Sequence, residues 1–167
     1  AVVIDDIEMG VSHVIRGEDH ISNTPKHLSL FTAFGVKPPV FAHFPTLRGA
    51  DGKKLSKRRD SVDIQSYRKA GYLPEAFVNF LCLLGWSHPE EKDVFSLDEF
   101  VGKFSLERVR RSGPVFDVKK LDWLNGVYIR GLADADLAFR LKDFISADTS
   151  VDFLLKVVPL IKELINK

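Results

Sequence analysis

Between Lys53 and Arg59 the chain places five cations in seven residues: Lys53, Lys54, Lys57, Arg58 and Arg59 surround Leu55 and Ser56. Lysine ammoniums are rotatable point charges, and such a density suits phosphate oxygens. The run also fits a solvated basic loop or a nonspecific nucleic-acid patch, because short cationic runs carry no geometry of their own. Its glycines lack the spacing of a Walker loop, which disfavours a P-loop ATPase. A second polar cluster, Gly17-Glu18-Asp19-His20, follows the run Val11 to Arg16. A carboxylate beside a histidine is compatible with metal binding or proton transfer. No further cluster of His, Asp or Glu completes a ligand set, so no metal site is expected.

The elements that must position these groups can be read from pattern. Val11 to Arg16 is rich in β-branched residues and predicts a short strand, which puts the polar cluster just beyond a strand end. Thr24-Pro25 reads as an N-cap followed by proline at the first helical position, opening a short helix that stops at Gly35. Val40 to Phe44 predicts a second strand, and strand, helix, strand is the unit that builds parallel sheets. The cationic segment Arg48 to Arg59 then reads as an exposed loop. A flexible loop directly after a strand can carry ammoniums to a triphosphate held at the sheet edge.

Downstream the apolar period becomes helical. Leu73-Pro74-Glu75 opens a helix, apolar nearly all round and closed by Gly85, that is expected to be buried. Ser96 and Glu99 form a capping-box pair, and Asp117 caps a helix through Tyr128. Asp134 to Ile145 and Ser150 to Ile165 complete the series, with Pro159 expected to kink or split the last helix. Trp123, at helical spacing, reads as core rather than as a stacking platform.

Composition sets the outer limits. At 167 residues with 45% hydrophobic and 28% charged residues, the chain suits one globular unit or two small ones. A net charge of +1 means that attraction to polyanions must come from local clustering rather than from the whole-protein field. The only cysteine, Cys82, lies in an apolar run and reads as a small buried hydrophobe, and a single cysteine excludes an internal disulfide. No apolar stretch is long enough to span a bilayer and no signal-peptide pattern opens the chain, so the expected setting is cytoplasmic, without a membrane. The start, Ala1-Val2-Val3-Ile4, reads like the middle of a longer protein.

KLSKR resembles the KMSKS motif of class I aminoacyl-tRNA synthetases. The segments VVIDDIEMGVSHVIRGEDHISNTPKH, FGVKPPVFAHFP, DGKKLSKR, GYLPEAFVNFLCLLGWS and GPVFDVKKLDWLNGVYIR resemble bacterial-type glutamyl-tRNA synthetases in the same order, over about residues 2 to 145. The resemblance implies an α/β plus α-helical chain. Residues 1–60 would be the second, C-terminal half of a Rossmann-type catalytic domain, 61–130 a helical stem-contact region, and 131–167 the start of a helical anticodon-binding domain.

By the same resemblance Arg16 would bind glutamate through a forked guanidinium–carboxylate pair, an ion pair to Asp5 or Asp6 being the alternative. Asp19, His20, Lys54, Leu55, Ser56, Lys57 and Arg58 would line the ATP site, with Glu18 in the same cluster. Lys57, supported by Lys54, would be catalytic. Lys53 and Arg59 would meet tRNA, joined by Arg108, Arg110 and Arg111.

The implied reaction joins glutamate, ATP, Mg2+ and tRNA(Glu), in a parent expected to be monomeric. A glutaminyl-type relative is disfavoured because its anticodon region is built of β-barrels, and a paralogue that glutamylates a modified tRNA nucleotide because it lacks the helical tail. These residues contain no HIGH-like sequence, so the isolated chain is expected to be inactive. The competing reading is a non-catalytic tRNA-binding module derived from a synthetase.

Overall fold

The computed structural model describes residues 1–55, 63–145 and 148–167. Ser56, Lys57, Arg58 and Arg59, four of the residues expected to face ATP or tRNA, lie outside the described residues. The chain divides into two compact units, Ala1–Lys54 with Arg110–Val115, and Leu55–Val109 with Phe116–Lys167.

The first unit begins with helix α1, Val2–Glu8. Sequence pattern gives this helix no signal, because Val2, Val3 and Ile4 are β-branched and favour strands. It packs on α2, Thr24–Ala33, with Val3 and Phe31 as the buried hydrophobic side chains of the unit. Strand β1 spans His13–Gly17 and β2 spans Val40–Phe44. They pair in parallel with Arg16 opposite His43 and Gly17 opposite Phe44.

The connection between the strands is a 3₁₀ turn over Glu18–Asn23 followed by α2. The strand–helix–strand expectation therefore holds, with β1 displaced toward the polar cluster. Thr24 is not the N-cap: Asn23 holds that position without a side-chain bond, and Thr24 and Pro25 open the helix. The Thr24 hydroxyl is engaged elsewhere, with Arg16 and His43.

The second unit is helical: α3 (Ile64–Lys69), α4 (Pro74–Gly85), α5 (Leu97–Lys103), α6 (Val118–Gly131), α7 (Asp134–Leu141) and α8 (Val151–Ile161). One core gathers Leu73 and Ala76, Ile129 of α6, Leu137 and Ala138 of α7, and Leu154 and Val158 of α8. A second group surrounds Trp86, whose ring meets Phe95 and Phe100 edge-on with centroids 5.8 and 5.0 Å away.

The expected caps are partly realised. Asp117 Oδ1 accepts from Lys119 N at 2.9 Å, and Ser96 Oγ accepts from Glu99 N at 3.1 Å. The Glu99 carboxylate does not complete a reciprocal box; it accepts from Lys92 and meets His88 and Lys103. Pro159 lies within α8, which runs on to Ile161 before tightening into a 3₁₀ turn at Lys162–Leu164, so the helix is not split at the proline. Helix α7 stops at Leu141, short of Ile145, and α4 leaves Leu81 exposed and Cys82 half-buried. Among the described residues no helix is long and apolar enough to cross a membrane.

Candidate functional site

Arg16 occupies the penultimate position of β1, and its register partner His43 stands on the same face of β2. Phe41, two residues before His43, shares that face, and the Arg16 guanidinium carbon sits 5.2 Å from the centre of its ring. Thr24 and His27 project from the first turn of α2 at a spacing of three, which places both on one helix face. Arg16 Nη2 donates to Thr24 Oγ1 at 2.9 Å and to the His20 carbonyl at 3.4 Å. Nη1 lies 3.4 Å from His27 Nδ1, and Nε donates to His43 Nε2 at 3.4 Å.

None of these partners is a carboxylate. Among the described residues Arg16 is paired with neither Asp5 nor Asp6, the structural ion pair that was its alternative reading. The geometry thus fixes a half-buried cation at a strand end without neutralising it, an arrangement suited to an anionic group.

Glu18 and Asp19, just past β1, have divided roles. Glu18 Oε1 accepts from Thr46 N at 3.0 Å and from Thr46 Oγ1 at 2.9 Å, which ties the end of β1 to the segment after β2. The amide and hydroxyl of Thr46 hold its carboxyl below the usual range. Asp19 Oδ2 accepts from Lys54 Nζ at 3.3 Å, and that bond is the main cause of its own lowered pKa. Gly17 permits this placement: a Cβ there would collide with Asp19 Oδ1.

Lys54 is delivered by a turn with its own framework. Arg48 and Lys54 form an antiparallel bridge, Gly49 N donates to Lys53 O at 2.8 Å, and Asp51 Oδ1 accepts from Lys53 N at 2.9 Å. Gly52 takes a φ of +74°, the left-handed conformation that glycine adopts without penalty. Arg48 reinforces the turn through Nη1, which donates to Gly52 O at 3.2 Å. Its backbone N also donates to Pro114 O at 2.9 Å.

The expected residues Arg16, Asp19, His20 and Lys54 therefore belong to one unit, at the ends of its strands and in the turn beyond them. His20 contributes its carbonyl to Arg16, while its Nδ1 lies 3.4 Å from Asn23 Nδ2. Lys53 is exposed in the turn, and Leu55 is the last described residue before Asp63. Sequence reading passed over Thr24, His27, His43 and Thr46. Once the strands were set in parallel, the matching positions of Arg16 and His43 could have pointed to His43. Among the described residues no group of three or more His, Cys, Asp or Glu could hold a metal ion.

The residues that carry the site thus sit on a short parallel strand–helix–strand unit, with a guanidinium at its strand end and a lysine-bearing turn after β2. The chain belongs to the class I tRNA synthetases (E and Q): the model of that catalytic domain matches residues 1–123. It is 54% identical over 136 residues to a glutamate–tRNA ligase of Heliobacterium modesticaldum, a match covering 81% of this chain and 27% of that protein. It is 43% identical over 175 residues to the glutamate–tRNA ligase of Dehalococcoides mccartyi strain BAV1, covering all of this chain and 36% of that one. The crystal structure of a glutamate tRNA ligase from Elizabethkingia meningosepticum, in complex with its amino acid, superposes with a TM-score of 0.85 at 32% identity, over 99% of this chain and 37% of that one. The chain thus spans 27–36% of the length of these curated relatives.

Proposed function

We propose that these residues form the KMSKS-bearing part of a glutamate–tRNA ligase, which activates glutamate with ATP and transfers it to tRNA(Glu). The observation that carries the reading is Arg16, a cation held without a carboxylate partner at the end of β1 and ready for one. The names of the relatives supply the particular amino acid. In this reading residues 1–60 are the second half of a Rossmann-type domain, 61–130 contact the tRNA stem and 131–167 begin the anticodon-binding region.

The chemistry is an in-line attack of the glutamate α-carboxylate on the α-phosphorus of ATP. Glutamyl-adenylate forms and pyrophosphate leaves; a terminal ribose hydroxyl of tRNA then takes the glutamyl group and AMP departs. Phosphoryl-type transfer requires positioning and charge neutralisation more than a protein nucleophile. Lys57, with Lys54, would stabilise charge growing on the leaving pyrophosphate, while Leu55, Ser56 and Arg58 set the loop against the nucleotide. Asp19 and His20 would border the ATP site, and Lys53 and Arg59 would meet tRNA phosphates.

Mg2+ fits this donor set as an ion carried on the triphosphate rather than caged by protein, since Glu18 is taken by Thr46 and Asp19 by Lys54. Bound there, it would share the neutralisation of phosphate charge.

The test is glutamate-dependent ATP–pyrophosphate exchange and tRNA(Glu) charging by the full-length protein. Arg16→Ala is expected to raise the glutamate requirement steeply. Lys57→Ala is expected to lower the single-turnover rate of adenylate formation about 100-fold, the scale of one lost transition-state contact, with glutamate affinity nearly unchanged. A full-length protein that binds tRNA(Glu) but supports no exchange would overturn the enzymatic reading in favour of a tRNA-binding module.

A further inference from the structure

The geometry points to Thr24 and His43 as positioning residues that lock the Arg16 guanidinium into the orientation in which it receives the amino-acid carboxylate. This inference rests on the assignment of Arg16 to glutamate and adds how that cation is aimed.

Distances separate the supports. Of the four contacts that Arg16 makes, only the bond from Nη2 to Thr24 Oγ1, at 2.9 Å, has ordinary hydrogen-bond length; those to His20 O, His27 and His43 are 3.4 Å. Thr24 is therefore the principal anchor. Its own hydroxyl proton has two possible acceptors, His43 Nε2 at 3.0 Å and the His20 carbonyl at 3.4 Å, and the shorter contact takes it.

The resulting chain is consistent from end to end: Arg16 donates to Thr24, and Thr24 donates to His43 Nε2. Arg16 Nε also approaches that nitrogen as a donor. Both contacts converge on the same ring nitrogen, Nε2. The Phe41 and His43 rings lie within 8° of parallel with centroids 6.5 Å apart, so an aromatic floor limits rotation of the cation from below. A guanidinium has five N–H donors in one plane, so fixing Nη2 and Nε fixes the direction of those that remain. Thr24 could have capped α2 and does not: its hydroxyl is committed to the strand arginine instead.

The test measures the KM of glutamate and of ATP separately, in pyrophosphate exchange by the full-length protein. Thr24→Val keeps the branched shape and removes the hydroxyl. It is expected to raise the glutamate KM on the order of tenfold, the scale of one hydrogen bond to a charged group, while the ATP KM stays within about twofold. Thr24→Ser restores the hydroxyl and should return the glutamate KM to near wild type. His43→Gln, whose amide oxygen can stand where Nε2 accepts, should behave like wild type, and His43→Leu like Thr24→Val.

Positioning also predicts that adding Thr24→Val to Arg16→Lys raises the glutamate KM no further, because the group being aimed has changed. A glutamate KM raised by Arg16→Lys but untouched by Thr24→Val and His43→Leu would overturn the positioning role alone. Equal rises in both KM values would show a merely structural role. An unchanged glutamate KM in Arg16→Lys would remove the assignment of Arg16, and this inference with it. Should Thr24→Val fail to fold, His43→Leu set against His43→Gln decides the same question.

Discussion

The two units use buried polar groups in opposite ways. In the helical unit Asn125, fully buried on α6, has both its donors and its oxygen engaged by main chain: Oδ1 accepts from Leu73 N at 2.8 Å, and Nδ2 donates to Gly71 O at 3.2 Å and Asn166 O at 2.7 Å. In the strand unit Arg16 is oriented by a hydroxyl, a carbonyl and two imidazoles, with no carboxylate to cancel its charge. A saturated polar group is a structural tie, whereas an oriented and unneutralised one is a receptor. The packing follows the same division. Among the described residues, Val3 and Phe31 are the buried hydrophobic side chains of the strand unit, while the helical unit buries Trp86, Phe80, Leu121, Leu124 and more.

The sharpest test of this contrast is Asn125→Ala, which strips three main-chain groups of their partner. A loss of about 3 kcal/mol in chemical denaturation is expected, from the penalty of stranded buried groups. Thr24→Val, by comparison, should cost less than about 1 kcal/mol while impairing glutamate use. A reversal of that order would break the distinction between tie and receptor.

A smaller effect is expected at Glu75 and Arg140, which join α4 to α7 through a forked pair at 3.0 and 2.8 Å. The Arg140 guanidinium holds the Glu75 carboxyl below its ordinary value of 4.5. Because the folded pKa is the depressed one, the stabilisation is full above about pH 4.5 and is lost as pH falls through the folded value. The pair is partly exposed, so solvent screening limits its contribution to at most about 1 kcal/mol. Wild type and Glu75→Gln should therefore differ in stability at neutral pH and converge in acid. A difference that persists below both pKa values would place the stabilisation in packing instead.

The slightest change concerns Cys82, half-buried on α4, whose thiol is pushed up by burial. Its reaction with a disulfide reagent near pH 8 should be slower in the native protein than in denaturant. Equal rates in the two states would show that this face of α4 is open.

The sequence made much of this legible, for identifiable reasons. The first strand followed from a β-branched run ending in a polar cluster, α2 from the proline at its start and the glycine after its end, and the caps at Ser96 and Asp117 from short-range rules that tertiary packing left intact. Helix α1 was invisible because Val2 to Ile4 favour strand locally, and its pairing with α2 is tertiary. Thr24 was misassigned because capping is judged from neighbours in sequence, whereas its real partners are eight and nineteen residues away. Trp123, read as core, is half exposed, while the buried residue of that stretch is the polar Asn125. Arg16 was found through family resemblance; the groups that aim it emerge only when strand register is known.

The turn between Arg48 and Lys54 bears on how this chain tolerates changes of length. Its ends are locked by a strand-type bridge, and Lys54 from one end reaches Asp19. Strand side chains alternate with a period of two, so one residue added or removed between these positions would turn the lysine to the opposite side, even with every side chain kept. The spacing itself is therefore under constraint, and insertions here are expected to be far less acceptable than substitutions at Ala50, which is exposed and whose side chain takes no part in the bridge.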